Sequence, residues 1–248
     1  MDMQNANLIF HSVWAEIEKE FGRERLRFPR EICWLNGAPG AGKGTQTRFI
    51  MEFRNYKATP ILVSDLLDNP EAARLKDDGL MVGDREVTAL VLRKLLRPEY
   101  QSGAVVDGYP RTAIQMQCLD LLYNKVLELQ RKQFDTPGAE AFPRSAFLIL
   151  VLFVNKGESI RRQLHRGKKA LEENNRVRRS GIGELLEVRK TDLSRDAALK
   201  RYQVFEEVTY NPLISLRERF PYHCIDAQGT VEEVQSRIVK EFSNQIVP

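Results

Sequence analysis

Three groups of residues in this 248-residue chain combine types and spacings suited to phosphate chemistry. The first is "GAPGAGKGTQ", Gly37 to Gln46. Gly37, Gly40, Gly42 and Gly44 permit positive φ, so successive amides can turn inward and form a concave nest for anionic oxygens. A helix starting near Lys43 adds the positive end of its dipole, and Lys43 itself can reach the β- and γ-phosphates of a bound nucleotide. Thr45 is the hydroxyl for phosphate or magnesium, one place later than in the common phosphate-loop pattern, because Gly44 follows the lysine. The second group is "VVDGYPRTAIQ". Asp107 ends a short apolar run, where a carboxylate can order Mg²⁺ through its waters, and Arg111 offers a planar fork to a phosphate four residues on. The third is "SIRRQLHR", which puts Arg162 and Arg166 on one helical face. Like charges at that spacing repel by about 0.2–0.5 kcal/mol in an isolated helix, so an anion held between them is one reason for the arrangement and a solvated basic face the other.

These groups need elements to hold them in place. "EICWLN" is a short apolar run leading into the glycine loop, and "TRFIMEFR" continues at helical spacing, giving strand, loop, helix. The same grammar recurs in "TPILVS", "GAVVDG", "SAFLILVLFV" and "YHCID", with the helical patterns "REVTALVLRKLL", "TAIQMQCLDLLYNKVLELQRK" and "DAALKRYQVFEEV" between them. Apolar strands that do not alternate with polar residues, separated by helices, predict an α/β fold. Its core is a doubly wound parallel five-stranded sheet of the phosphate-loop NTPase type, with ligands at the C-terminal ends of the strands. Val13, Trp14, Ile17 and Phe21 predict an amphipathic helix near 7–22 docked on the body. "FDTPGAEAFPRS" reads as a loop.

Together the glycine motifs resemble the adenylate kinase and nucleoside monophosphate kinase family, whose loops also have glycine after the lysine followed by Thr-Gln. The resemblance runs from about Ile32 to Ile238. It implies one kinase domain over 1–248, with an N-terminal helical extension at about 1–30, an acceptor-binding insertion at about 65–88 and a lid at about 167–190. It implies that Arg111 holds the acceptor phosphate, that Gln115 reads the acceptor base and favours adenine, and that Val63, Asp65, Val82 and Gly108 line the acceptor site. Arg189 and Arg201 match the arginines on the far side of the lid, with Lys190 an alternative to Arg189 because the spacing is one residue longer than usual. Backbone near Gln228 and Gly229 would border the donor adenine, and Arg162 and Arg166 would join the donor site. The resemblance further implies that Arg162, Arg166 and Arg189 act on the group in flight, and that Arg201 and Arg189 join Arg111 at the acceptor. Asp68 stands where the family has an arginine for the acceptor phosphate, which leaves Arg74 and Arg85 as candidate replacements. The acceptor segment is also short, with Val63 and Ser64 where many adenylate kinases have Thr-Gly.

The activity implied is reversible transfer of the ATP γ-phosphoryl group to AMP, with Mg²⁺ as cofactor. A kinase for UMP, CMP or a wider acceptor set is the first alternative, and a catalytically weak nucleotide-binding protein the second. A net charge of +4 with Arg and Lys spread along the chain suits anionic small molecules better than nucleic acid. Cys33, Cys118 and Cys224 lack paired spacing, so neither a structural zinc nor a disulfide framework is expected. The N-terminus has no long apolar run, and a cytoplasmic monomer that binds no membrane is expected.

Overall fold

The computed structural model describes residues 2–67, 83–133 and 145–243, without the side chains of residues 2 and 3. In chain order its main elements are α1 (Asp2–Phe21), β1 (Glu31–Gly37), α2 (Lys43–Phe53), β2 (Ile61–Leu62), α3 (Val63–Leu66), α4 (Asp84–Leu95), β3 (Ala104–Asp107), α5 (Ala113–Gln133), β4 (Ala146–Phe153), α6 (Lys156–Ser180), α7 (Arg195–Val204), β5 (Tyr222–Asp226) and α8 (Val231–Ser243). The five strands form one parallel sheet in the order β2-β3-β1-β4-β5. This is the α/β phosphate-loop architecture that the apolar runs predict.

The uninterrupted apolar runs follow from burial on both faces. In β1, Ile32 and Trp34 join a core that includes Phe10 and Trp14 of α1, Val91 of α4 and Leu119 of α5. Cys33 and Leu35 point the other way, into a core with Ile50 of α2 and Ile238 of α8. Each strand residue is therefore buried whichever way it points, and period-two alternation disappears. Helix α1 seals the first face: Ala6, Phe10, Val13 and Ile17 are wholly buried. It begins five residues earlier than its apolar stripe predicts.

Strand β2 is much shorter than "TPILVS" suggests. Its ladder consists of Ile61↔Val106 and Leu62↔Asp107. Pro60 has no N–H to extend the ladder backward, and at its other end Asp107 is the last residue of β3, so Val63 turns into α3 instead. The lid segment also differs in character: α6 runs unbroken from Lys156 to Ser180, so the first half of 167–190 continues the preceding helix. Gly167 permits its docking, because a Cβ there would lie 2.4 Å from the Asp192 carbonyl oxygen. The loop segment 134–144 and the expected acceptor-side residues Asp68, Arg74 and Val82 lie outside the described residues.

Strands β1 and β3 are neighbours in the sheet, yet the chain leaves them in opposite directions, toward β2 and β4 respectively. The crevice beyond their C-terminal ends is where such sheets bind ligands. It receives the loops after Gly37 and after Asp107.

Candidate active site

The donor loop begins where β1 ends. Ala38 N–H donates to the Leu152 carbonyl at 3.0 Å, anchoring the loop to β4, and Ala41 N–H closes a turn onto the Ala38 carbonyl at 3.1 Å. Gly40 has φ 76° and lies flat against α6, where a Cβ would stand 3.1 Å from both the Ser159 carbonyl oxygen and Arg162 Cβ. Gly42 has φ 82° and precedes α2, and no side chain caps that helix. A Cβ at Gly42 or Gly44 would meet nothing within 4 Å. The helix N-terminus therefore opens onto free space, which suits an anion rather than a protein cap.

Lys43 spans this loop and donates from Nζ to the Gly37 carbonyl at 2.8 Å. Burial depresses its pKa to about 8; Asp107 opposes the shift, while Arg111, Arg201 and Arg166 reinforce it. The Asp107 carboxylate has no hydrogen bond or ion pair among the described residues, and the residue ends β3 beside Leu35 of β1. It is a hard, unclaimed oxygen donor next to the phosphate nest. Mg²⁺ normally binds one or two carboxylates and keeps water and phosphate oxygens as its remaining ligands, so Asp107 with the exposed Thr45 hydroxyl fits that ion. Among the described residues no group of three or more His, Cys, Asp or Glu is placed to hold a metal.

The second glycine motif wraps around Arg111. Gly108, with φ 95°, returns its N–H to the Leu35 carbonyl at 3.0 Å, and Asn36 Nδ2 donates to the Tyr109 carbonyl at 3.2 Å. The Arg111 guanidinium lies over Gly108 so closely that a Cβ there would be 2.4 Å from Nη2. Desolvation in the cleft lowers the Arg111 pKa although the residue keeps exposed surface; Asp107 opposes the shift and Arg189 adds to it. Gln115 is almost wholly buried. Its side-chain oxygen accepts the Arg111 N–H at 2.8 Å, and its Nε2 donates to Asp84 at 3.0 Å. Asp84 also accepts from Thr112 Oγ1 at 2.7 Å. Sequence reasoning missed Asp84; its only signal was an acidic residue at the first turn of α4.

The lid arginines meet around a second residue that the sequence did not reveal. Asp192, with its side chain 2% exposed, takes a two-pronged ion pair from Arg166 at 2.6 and 2.9 Å and a longer contact from Arg201 at 3.4 Å. Burial lowers the Arg201 pKa to about 10; Arg189, Arg166 and Arg111 act in the same direction against Asp192. Lys43 thus feels Arg111, Arg166 and Arg201, and Arg201 feels Arg111, Arg166 and Arg189, in a neighbourhood that also holds Asp107, Asp192 and the exposed Glu187 that pairs with Arg189. Positive charge is in excess, and a polyanion would relieve it.

A family model described as AAA domain matches residues 36–176. An adenylate kinase of Flavobacterium johnsoniae is 28% identical over 220 residues, covering 85% of this chain and 97% of that protein. An adenylate kinase of Archaeoglobus fulgidus is 26% identical over 212 residues, covering 82% of this chain and 93% of the relative. A third, from Fusobacterium nucleatum, is 36% identical over 101 residues, which is 37% of this chain and about half of the relative, 47%. The chain belongs to the adenylate kinase and nucleoside monophosphate kinase family, on a phosphate-loop AAA domain.

Not every residue that this family's motifs pointed to reaches the cleft. Arg162 and Arg166 diverge: Arg162 bonds to Glu158 at 2.5 Å and to the Ala227 carbonyl at 3.0 Å, with weaker reach to the carbonyls of Gly40 and Gly229 at 3.5 Å. It braces the phosphate loop against the 227–229 turn. Gln228 is held in that turn by Asn155 Nδ2 at 2.7 Å, and Gly229 has φ 102°. Val63 is buried in the core, 4% exposed, whereas Asp65 is exposed and accepts from Ser64 at 3.0 Å. Arg85 is bound to Glu16 of α1 rather than facing the cleft. No helix among the described residues is long and apolar enough to cross a membrane.

Proposed function

We propose that this chain transfers the γ-phosphoryl group of ATP to AMP, reversibly, giving two ADP. One observation carries the reading: Lys43, Arg111, Arg166, Arg189 and Arg201 converge on a cleft at the end of the phosphate loop with more positive charge than the carboxylates facing them. Phosphoryl transfer passes through a loose transition state with charge on the non-bridging oxygens, so positioning and charge neutralisation supply most of the catalysis. No nucleophilic side chain is needed. Lys43, the amides from Gly40 to Thr45 and the free end of α2 would hold the donor phosphates. Gln228, Gly229 and the brace made by Arg162 would border the donor base. Arg111 would hold the acceptor phosphate, with Asp65, Gly108 and Gln115 around the acceptor nucleoside. Arg166, Arg189 and Arg201 would neutralise the group in flight. Asp107, through water, and Thr45 would hold Mg²⁺, which would supply positive charge to the phosphates.

A wider acceptor range is the second reading, and the engagement of Gln115 favours it. Both polar atoms of its amide already have partners in Arg111 and Asp84, which leaves one lone pair and one N–H to discriminate among bases. Mg-ATP offered with AMP, GMP, CMP, UMP and dTMP separates the cases by ADP production. Turnover on AMP alone supports the first reading and turnover on several acceptors the second. Silence on all five, with ATP still bound, refutes both and leaves a nucleotide-binding protein without kinase activity.

A further inference from the structure

Helix α6 meets the phosphate loop through two side chains that the proposed chemistry does not use. Ser159 and Gln163 are one turn apart on α6, and both are wholly buried. Ser159 Oγ donates to the Pro39 carbonyl at 2.7 Å. Gln163 Nε2 donates to Ser159 Oγ at 3.2 Å and to the Ala198 carbonyl of α7 at 3.4 Å. Pro39 directly precedes Gly40, which sits on the same turn of α6. Ala198 is itself wholly buried and lies three residues, about one turn, before Arg201. An unbroken path of hydrogen bonds therefore links the phosphate loop to the helix that carries Arg201.

The path comes with a destabilising feature. Gln163 Oε1 is buried and has no partner. A leucine of similar volume would remove the unpartnered Oε1 but would also take the Nε2 donor from Ser159 Oγ and the Ala198 carbonyl, so the two effects on stability offset each other. A residue that breaks the burial rule in contact with a site is explained better by the site than by the fold. Arg201 also needs outside positioning, since its own contacts to Thr191 Oγ1 and Asp192 Oδ1 are both 3.4 Å.

We propose that Ser159 and Gln163 are positioning residues, which set Arg201 against the phosphate loop so that its charge meets the transferring phosphoryl group. The role of Arg201 in that statement rests on the phosphoryl-transfer reading above; the mechanical link does not. Helix α7 keeps a separate anchor, Tyr202 Oη to the Val154 carbonyl at 3.4 Å, so it stays docked when Gln163 is changed.

Gln163→Leu is the test. An interaction made in the transition state alone lowers kcat and leaves KM unchanged, so kcat should fall about tenfold while KM for Mg-ATP and AMP stays within about twofold. The melting temperature should stay within about 4 °C of that of the unaltered protein, because the lost hydrogen bonds and the removed unpartnered oxygen offset each other. Ser159→Ala combined with Gln163→Leu should be no slower than Gln163→Leu alone, because both break one path. Amide hydrogen exchange over residues 195–204 should quicken about tenfold in the variant without change elsewhere in the sheet. Unaltered kcat in an active protein refutes the positioning role, as does a kcat that falls together with a larger drop in melting temperature. Unaltered exchange refutes the mechanical link. An unaltered protein silent on every acceptor refutes the phosphoryl-transfer reading instead, and the exchange measurement still decides the link.

Discussion

The most quantitative consequence of the cleft concerns a proton. Burial brings the Lys43 ammonium down from its ordinary 10.5 to about 8, and three neighbouring guanidinium groups push the same way. A donor nucleotide would put several negative charges within reach of Nζ and restore the charged form. Binding should then draw a proton from solution in proportion to the fraction of Lys43 that is neutral beforehand. That fraction is about one-tenth at pH 7, about half at pH 8 and about nine-tenths at pH 9. ATP phosphates are already ionised at pH 8 and above, so they do not mask the effect. Calorimetric titration of ATP in pairs of buffers with different ionisation enthalpies measures proton uptake directly. Uptake should rise across this range and vanish in Lys43→Met. The same shift has a sign for folding: the unfolded chain holds this proton more tightly, so stability of the free protein rises with pH between about 8 and 10.5. A shift of this size corresponds to about 3 kcal/mol as an upper bound, reduced because the side chain keeps some solvent contact. Buffer-independent binding enthalpies at pH 8.5, or the same uptake in Lys43→Met, would refute the reasoning.

Two further variants probe the site without touching Lys43. Gly44→Ala places a methyl group in open space on a helical residue, so it should leave melting unchanged or raise stability by about 0.4–1 kcal/mol, yet weaken ATP binding at least tenfold by filling the nest. A tighter-binding Gly44→Ala variant would show that the nucleotide lies elsewhere. Asp192→Asn keeps the shape but removes the charge that holds Arg166, whose side chain is 45% exposed. It should lose about 1–2 kcal/mol, a drop of roughly 2–8 °C in melting temperature at this size, with pyrophosphate recovering part of the loss. Unchanged melting would mean that the arginines tolerate one another without the carboxylate.

The glycine motifs were legible because local rules specify them. Gly40, Gly42 and Gly108 adopt positive φ, and the residues they precede, Lys43 and Arg111, reach the cleft as their spacing requires. The strands were equally legible, since burial on both faces forces apolar runs that need no alignment to find. Other features depended on where helices come to rest. Spacing put Arg162 and Arg166 on one face of a helix, but Glu158 and the 227–229 turn draw one away while Asp192 draws the other. Arg85 stood as a cation for the acceptor until α1 brought Glu16 to it.

By itself, then, the sequence determined the phosphate loop, the second glycine motif, the five parallel strands and the family. These depend on backbone freedom and burial within a few residues. Only the tertiary structure decided which cations share the cleft, that Asp84 and Asp192 orient the groups around them, and that Ser159 and Gln163 join the loop to the helix bearing Arg201. Such partners lie 9 to 35 residues apart in the chain for Arg201–Asp192 and Gln163–Ala198. Their meeting is a property of how α6 and α7 dock, and no periodicity along the chain encodes it.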